Sequence, residues 1–432
     1  MRKPLPAPSL LVEHLELPNG LRVVLNPDRT APTVGIATFY DVGFRSEPEG
    51  RTGFAHLFEH IMFQGTVSLE KGEADRLIEG NGGMTNGSTH PDFTNYISQL
   101  PSNALELGLF LEADRMRGPR LSEENVRNQI DVVKEEIRVN VLNRPYGGFP
   151  WIDLPPVMFD GFNNAHDGYG SFVDLESATV DDAADFFKRY YCPANAVLSV
   201  AGDFALDEAV MLIERHFGSI PRRKAPARTN CHEPRRTEDR RATKVDPLAP
   251  LPALAVGYRI PDPIAELDKY LATVVAADVL GGGEASRLYQ RLVKRDRLVT
   301  HTIAMVGTFG DPFEMRDPTM LQLLSYLVPG IPPDKVLDAV AEEVDTLADD
   351  VRADEVDRVV TSIVSEYFRQ LDNVLERALV LGVFEQQRAR PQLVNELPEA
   401  FGRVTPEQVG DAVRSMRAPG RAVLEVQPGA GQ

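Results

Sequence analysis

The most constraining feature of this 432-residue chain is the pentad His56-Leu57-Phe58-Glu59-His60. Thr52-Gly53 ahead of it predicts a helix start, and the apolar residues between Phe54 and Ile61 are spaced as an inward-facing helical stripe. Residues four apart lie on one helix face, so both imidazoles can reach the same metal ion. Such residues also co-occur on helices by chance, but a buried helix needs polar partners for its imidazoles. The pentad therefore predicts a metal site, with Glu59 as a base beside it.

A zinc ion held by two histidines needs a third protein ligand, and a second helix can supply it. The segment from Ser122 to about Val141 predicts that helix, because Ser122 is a capping residue and the apolar residues after it keep helical spacing. Glu135 falls on the charged stripe of this helix, which is typical of a solvated face. Glu136 is turned about 100° from Glu135 towards the apolar side, so Glu136 is the predicted third ligand.

The pentad, followed by Glu136 in the run Val132–Arg138, resembles the pitrilysin/insulinase family of zinc metallopeptidases. The length resembles that of half-size members, similar to mitochondrial processing peptidase subunits and bacterial two-subunit peptidases. Further runs that resemble the family occur up to about residue 300: Gly43–Glu47, Gly53–Ala55, Tyr191–Asn195, Leu198–Asp203, Leu280–Gly283 and Ser286–Leu288.

This resemblance implies a zinc endopeptidase in which His56, His60 and Glu136 hold Zn²⁺ and water completes the coordination. Glu59 would accept a proton and pass it to the leaving amine. Extended or unfolded peptides should be cut, whereas folded proteins should resist. A non-catalytic scaffold or partner subunit is the alternative, since some members of the family lack activity.

The run Gly82-Gly83 followed by Asn86, Gly87 and Ser88 resembles the family's peptide-binding edge, which accepts substrate as an added β-strand. Without the metal motif, this run of glycines and asparagines would predict only a hairpin turn. Together with the motif, it predicts that Asn86, Gly87 and Ser88 line a cleft for extended peptides.

Gln129 stands seven residues before Glu136, where many members of the family carry a glutamate that supports the metal site. Residues seven apart lie two turns apart on one helix face. An amide can hydrogen-bond a ligand, but it adds no negative charge near the zinc. The sequence therefore predicts a competent but weaker zinc site.

The resemblance also implies an α+β fold of two homologous domains, each a mainly antiparallel sheet layered with helices, which together form half of a clam-shell peptidase. We expect residues 1–220 to form the zinc-binding catalytic domain, 221–250 a basic, proline-containing linker, and 251–432 a homologous domain without metal ligands. The basic clusters of the linker do not indicate nucleic-acid binding, because the net charge is −18 and no nucleic-acid motif accompanies them.

The second half departs from the family at two positions. Catalytically complete members carry an arginine and, seven residues later, a tyrosine, which hold the substrate carbonyl. The matching positions are Val293 and Thr300, and a shifted register would bring in Arg295, Arg297 or His301 instead. We therefore expect a heterodimer in which a homologous half-size subunit supplies the arginine and tyrosine. A self-sufficient homodimer is the alternative.

Signals for export and membrane insertion are absent from the sequence. Met1-Arg2-Lys3 is basic, but prolines within residues 4–8 interrupt the segment after it, and no long apolar run occurs. Cys192 and Cys231 are isolated, which predicts reduced thiols without a metal role. These features favour a cytoplasmic protein that acts on peptides and has no membrane partner.

Overall fold

The computed structural model of the protein describes residues 9–429. Residues 1–8, on which the expectation of a missing export leader partly rests, lie outside the described range. The first of two sheets has six strands: β1 Glu13–Glu16, β2 Arg22–Pro27, β3 Thr33–Tyr40, β4 Met84–Thr89, β5 Thr94–Pro101 and β6 Ala196–Gly202.

The strands of this sheet lie in the order β1-β2-β6-β3-β5-β4. β2 and β6 run parallel, and the other neighbouring pairs run antiparallel. The central strands β3 and β6 are apolar and almost fully buried. β4 is rich in Thr, Asn, Gly and Ser and partly exposed, a composition that suits a strand paired on one side only.

The second sheet has five strands: β7 Arg240–Asp246, β8 Ala253–Arg259, β9 Val299–Val306, β10 Met320–Leu327 and β11 Ala422–Pro428. Their order is β7-β11-β8-β10-β9, with β7 parallel to β11 and the other pairs antiparallel. The second sheet therefore repeats the plan of the first without its outermost strand. This arrangement confirms the predicted α+β fold with two mainly antiparallel sheets.

Strand β7 lies within residues 221–250, the stretch that the sequence predicts as a linker. The part of that stretch without helix or strand before β7 is 221–239. β7 pairs with β11 along its whole length, and within residues 9–429 its other side pairs with no strand.

Helices cover both sheets. Those of the first half are α1 Phe54–Ile61, α2 Glu73–Gly80, α3 Leu105–Arg117, α4 Glu123–Ile137, α5 Pro155–Met158, α6 Phe162–Ala165, α7 Phe172–Glu176, α8 Val180–Tyr190 and α9 Leu206–Phe217. Those of the second half are α10 Leu267–Gly281, α11 Pro333–Asp349, α12 Ala353–Asp372, α13 Val374–Arg388, α14 Leu393–Gly402 and α15 Pro406–Ser415. Short 3₁₀-helices span Phe44–Ser46, Ser102–Ala104 and Pro193–Asn195, and π-helical turns span Arg138–Leu142 and Tyr289–Arg295.

Strand β3 separates two hydrophobic cores because successive side chains of a strand point to opposite faces. Ile36 and Tyr40 belong to the first core, which also holds the apolar faces of α1 and α4. Ala37 and Phe39 belong to the second core, which is continuous with the helices of the second half. The first core fixes the two helices that carry the predicted metal ligands.

Elements of each half pack on the sheet of the other half. Helix α13 of the second half packs on β3 and β6 of the first sheet. A Cβ atom on Gly35 would lie 2.8 Å from the Cα of Leu375, so this helix and sheet approach closely. In return, Leu154 and Met158 of the first half pack on the second sheet. The halves are thus interlocked.

Two further expectations concern the whole chain. Across residues 9–429, no helix combines the length and apolar character needed to cross a bilayer. Cys192 and Cys231 are both buried free thiols.

Candidate metal centre

Helix α1 places the pentad through its anchored amino terminus. Gly53 precedes the helix with φ 79°, a left-handed conformation that favours glycine. The carboxylate of Glu47, only 1% exposed, accepts hydrogen bonds from the backbone N–H groups of Gly53 (2.9 Å) and Ala55 (2.7 Å). An anion at a helix amino terminus is favourable, so Glu47 holds the start of α1 in place. The helix then carries His56 and His60 on one face, as predicted.

Helix α4 places Glu136 opposite these histidines. Ser122 caps the helix by accepting a hydrogen bond from the N–H of Asn125 (3.1 Å), as the sequence predicts. Val133 and Ile137 are buried in the first core, which turns Glu136 towards α1. Glu135 is exposed, as expected for the charged stripe.

His56, His60 and Glu136 come together with the spacing of a metal site. The Nε2 atoms of His56 and His60 are 3.2 Å apart. Oε2 of Glu136 lies 3.4 Å from Nε2 of His60 and 3.7 Å from Nε2 of His56. Tetrahedral zinc with bonds of about 2.0–2.1 Å separates its ligand atoms by about 3.3 Å. The three ligand atoms therefore have the spacing that would suit a zinc ion.

The charges of His56 and Glu136 also fit a cation. Burial, with a smaller effect of His60, lowers the pKa of His56 to about 4, so this imidazole is neutral near pH 7, as a ligand must be. The hydrogen bond with His60 lowers the pKa of Glu136 to about 2, and the carboxylate is ionised. Burial opposes protonation of His60, but Glu136 and Glu59 outweigh it and raise the pKa of His60.

Glu59 lies beside this cluster and is 7% exposed. Its Oε2 accepts a hydrogen bond of 2.6 Å from the hydroxyl of Thr89. Its Oε1 faces β4, where a Cβ atom on Gly87 would lie 3.0 Å away. Burial raises the pKa of Glu59, which brings a carboxylate closer to the range of a general base.

The predicted peptide-binding residues Asn86, Gly87 and Ser88 lie on β4 at the rim of the same pocket. This pocket has a volume of about 500 Å³ and contains the three ligands and Glu59. Ser88 and Phe309 also line a larger cavity of about 790 Å³, so the two spaces adjoin. The structure thus brings the predicted strand edge and the metal cluster together.

Gln129 is buried on α4, and its side chain contributes to the raised pKa of His60. Its amide nitrogen also donates to Oδ1 of Asn128 (3.0 Å). The predicted neighbour of the metal site therefore lies beside one candidate ligand.

Val293 and Thr300 lie away from this cluster. Val293 packs against the second core, and the hydroxyl of Thr300 donates to the carbonyl of Tyr326 (3.2 Å). Of the alternatives in a shifted register, Arg295 pairs with Asp296 (2.8 Å). Among residues 9–429, no arginine lines the metal pocket, and its tyrosine is Tyr169 of the first half.

Several site residues were not found from the sequence. Tyr169 donates a hydrogen bond to Oε1 of Glu136 (2.9 Å), and burial raises its pKa to about 12, so its hydroxyl stays protonated. Trp151 and Phe309 complete an aromatic wall, with ring centroids 6.1 Å apart. Tyr169, Trp151 and Phe309 lie in irregular segments, where no helical or strand period marks inward positions.

Two family models match this chain, and each covers a different part of it. A family model described as insulinase (peptidase family M16) matches residues 22–144, and a model described as peptidase M16 inactive domain matches residues 177–363. The chain belongs to the M16 insulinase family. All three candidate ligands and Glu59 fall within residues 22–144. The inactive-domain match covers β7 to β10 of the second sheet, with α10, α11 and part of α12.

Individual proteins also resemble this chain, one in sequence and two solved structures in fold. The zinc protease PqqE of Helicobacter pylori is 28% identical over 362 residues, which cover 81% of this chain and 77% of the relative. The crystal structure of a protease from Helicobacter pylori matches with a TM-score of 0.89 at 23% identity, covering 97% of this chain and all of that one. The periplasmic protease PqqL of Escherichia coli matches with a TM-score of 0.78 at 18% identity, and this chain spans 48% of its length.

Proposed function

We propose that this M16 protein is a zinc-dependent endopeptidase that hydrolyses extended or unfolded peptides. The observation that carries the proposal is the spacing of 3.2, 3.4 and 3.7 Å among the ligand atoms of His56, His60 and Glu136, with Glu59 beside them. The names of its relatives, which are zinc proteases, agree with this activity. Residues 1–220 would then form the catalytic domain and 251–432 the domain without metal ligands.

Zinc bound by these residues would supply a water activated at neutral pH and would polarise the scissile carbonyl. Glu59 takes up the proton at Oε1, since Thr89 holds Oε2 by a hydrogen bond. The same oxygen then gives the proton to the leaving amine. The open side of β4 binds the peptide as an added strand, which brings its backbone past Gly87 and towards Glu59.

The experiment that tests this proposal measures bound zinc and peptide cleavage on the same preparation of the full chain. We expect about one zinc per chain. An extended fluorogenic peptide should be cut, whereas a compact, disulfide-locked protein should resist. Efficient digestion of the compact protein would contradict the requirement for an extended substrate.

A heterodimer is proposed as the complete enzyme. Two observations support a heterodimer. Val293 and Thr300 carry no charge with which to bind a substrate carbonyl, and no arginine of residues 9–429 lines the metal pocket. This chain spans 48% of the length of PqqL, so PqqL is long enough to contain two such units in one chain. A homologous half-size subunit would supply the missing arginine and tyrosine to this site.

This second proposal is tested by purifying the chain alone and together with a co-encoded homologue that lacks the pentad. We expect weak cleavage by the lone chain and a clear increase with the partner. Full activity of the lone chain, unchanged by the partner, would favour a self-sufficient homodimer.

A non-catalytic scaffold is the second candidate function, and the match of residues 177–363 to an inactive-domain model is the observation in its favour. Purified chain without zinc, and without cleavage in the presence of any homologue, would support the scaffold instead of the enzyme.

A further inference from the structure

Tyr169 contacts two of the three candidate metal ligands. Its hydroxyl donates a hydrogen bond of 2.9 Å to Oε1 of Glu136, the carboxylate oxygen that does not face the histidines. Its ring lies edge-on against the imidazole of His56, with centroids 5.2 Å apart and an interplanar angle of 81°. One side chain therefore touches a ligand on each of the two helices.

The segment that carries Tyr169 is itself held firmly. Oδ1 of Asp167 accepts hydrogen bonds from the backbone N–H groups of Tyr169 (2.8 Å) and Gly170 (3.0 Å). The carbonyl oxygen of Tyr169 packs so closely on Gly53 that a Cβ atom there would lie 2.2 Å from it. Tyr169 is thus fixed against the start of the helix that carries His56.

The two histidines differ in how their rings are oriented. Ligating histidines usually donate their second ring N–H to an acceptor, which fixes the ring. Gln129 of α4 lies beside His60. Within residues 9–429, Nδ1 of His56 is buried and has no hydrogen-bond partner. The ring of His56 therefore depends on packing for its orientation, and the ring of Tyr169 is a direct contact that provides it.

The orientation of the Glu136 carboxylate also matters, because a carboxylate can bind a metal through one oxygen or both. In this structure Oε2 lies 3.4 and 3.7 Å from the two Nε2 atoms, while Oε1 is turned away and accepts from Tyr169. Asn140 donates to the hydroxyl of Tyr169 (3.3 Å), which leaves the hydroxyl proton for Glu136. The hydrogen bonds from Asn140 to Tyr169 and from Tyr169 to Glu136 therefore leave Oε2 as the carboxylate oxygen that faces the histidines.

We propose that Tyr169 is a positioning residue of the metal centre: its hydroxyl restricts Glu136 to one-oxygen coordination through Oε2, and its ring holds the imidazole of His56. This inference rests on the proposed zinc site and extends it to a residue outside the pentad and the glutamate helix.

The test compares Tyr169→Phe and Tyr169→Ala with the wild-type chain by zinc competition against a chromophoric chelator. Tyr169→Phe keeps the ring and loses the hydroxyl, so we expect zinc affinity to fall about tenfold, the lower end of the effect of removing a partner of a metal ligand. Tyr169→Ala loses both contacts and should fall further. Tyr146→Phe is the matched control, since that hydroxyl donates to the carbonyl of Leu251 (2.7 Å), away from the metal ligands.

Two further readouts separate positioning from folding. The thermal unfolding midpoint of metal-free Tyr169→Phe should equal that of the wild type. The visible spectrum of the Co²⁺-substituted Tyr169→Phe chain should lose intensity relative to the wild type, as Oε1 joins the coordination and the coordination number rises.

A double-mutant cycle with Glu136→Ala tests whether Tyr169 acts through Glu136. Tyr169→Phe should weaken zinc binding much less in the Glu136→Ala background than in the wild type. Zinc affinity of Tyr169→Phe within twofold of the wild type, the same loss in Tyr146→Phe, or an equal loss in both backgrounds would overturn the inference. A wild-type chain that binds no zinc would instead overturn the proposed function.

Discussion

Gly87 of the edge strand lies directly over Glu59, so that a Cβ atom on Gly87 would be 3.0 Å from Oε1 and 3.1 Å from Cγ of that glutamate. The same Cβ atom would be 3.1 Å from the ring of Phe63. These distances are tighter than ordinary van der Waals contact, so a side chain at this position must displace Glu59 or the strand.

Gly87→Ala should therefore reduce peptide cleavage while zinc stays bound. A displacement of about 1 Å at a reacting group can cost about 10²-fold in rate, and we expect a loss of at least about tenfold. Gly80→Ala is the matched control, because a Cβ atom there would meet nothing within 4 Å. Equal loss of activity in both variants would contradict the role of the Gly87 contact.

Glu59→Gln should keep zinc and lose cleavage by about 10²- to 10⁴-fold, because the amide cannot accept the proton. His60→Ala should lose both zinc and cleavage. Metal content and initial rates are measured on each variant, with Glu135→Gln as the control for removal of an exposed carboxylate. Cleavage by Glu59→Gln at near wild-type rate would refute the assignment of the base. Peptides that accumulate on the inactive variant would identify the natural substrate.

Gln129→Glu should bind zinc more tightly than the wild type, because it adds negative charge beside His60. Asn128→Asp adds the same charge at the exposed neighbouring position and is the matched control. Zinc dissociation constants of the three proteins are compared. Equal affinities for wild type and Gln129→Glu would make this position irrelevant to metal binding.

The pair of His166 and Glu47 predicts a pH dependence of stability. Nε2 of His166 lies 3.2 Å from Oε2 of Glu47. Burial alone would lower the pKa of His166, but the hydrogen bond to Glu47 outweighs it and raises that pKa. A histidine with a raised folded-state pKa stabilises the fold below its unfolded value of about 6.5, and this contribution is lost as the pH rises through the folded-state pKa.

Urea unfolding from pH 6 upwards, measured on wild type and His166→Gln, isolates this contribution. The difference in unfolding free energy between the two should be largest near pH 6 and shrink as the pH rises. His232→Gln, at an exposed histidine, is the control. A difference that stays constant or grows with pH would contradict the prediction.

The parts of the site that could be predicted lie on regular helices. His56 and His60 share a face because they are four residues apart, and Glu136 is turned inwards because Val133 and Ile137 face the core. These relations are local, so the sequence contains them. Tyr169 reaches Glu136 only through the packing of an irregular segment on Gly53, a long-range relation without a periodic signal.

Strand β7 is a part of the fold that the sequence did not predict. Its run of basic and polar residues predicts solvated chain, yet it pairs with β11 along its length. Charged side chains on an edge strand keep its open side from pairing with other molecules, so the composition of such a strand resembles that of a linker. Composition alone cannot separate the two.

Helix α13 packs on the first sheet, while Leu154 and Met158 pack on the second, and this cross-packing determines where movement can occur. Separating the halves would pull α13 off β3 and β6, and would also break the ion pair of Arg22 with Glu385 (2.9 Å). A hinge motion within this chain would therefore expose much of its second core to water. Substrate binding would not offset that free-energy cost. We therefore expect the chain to move as one rigid unit, and in the proposed heterodimer a peptide would enter where this unit meets the second subunit.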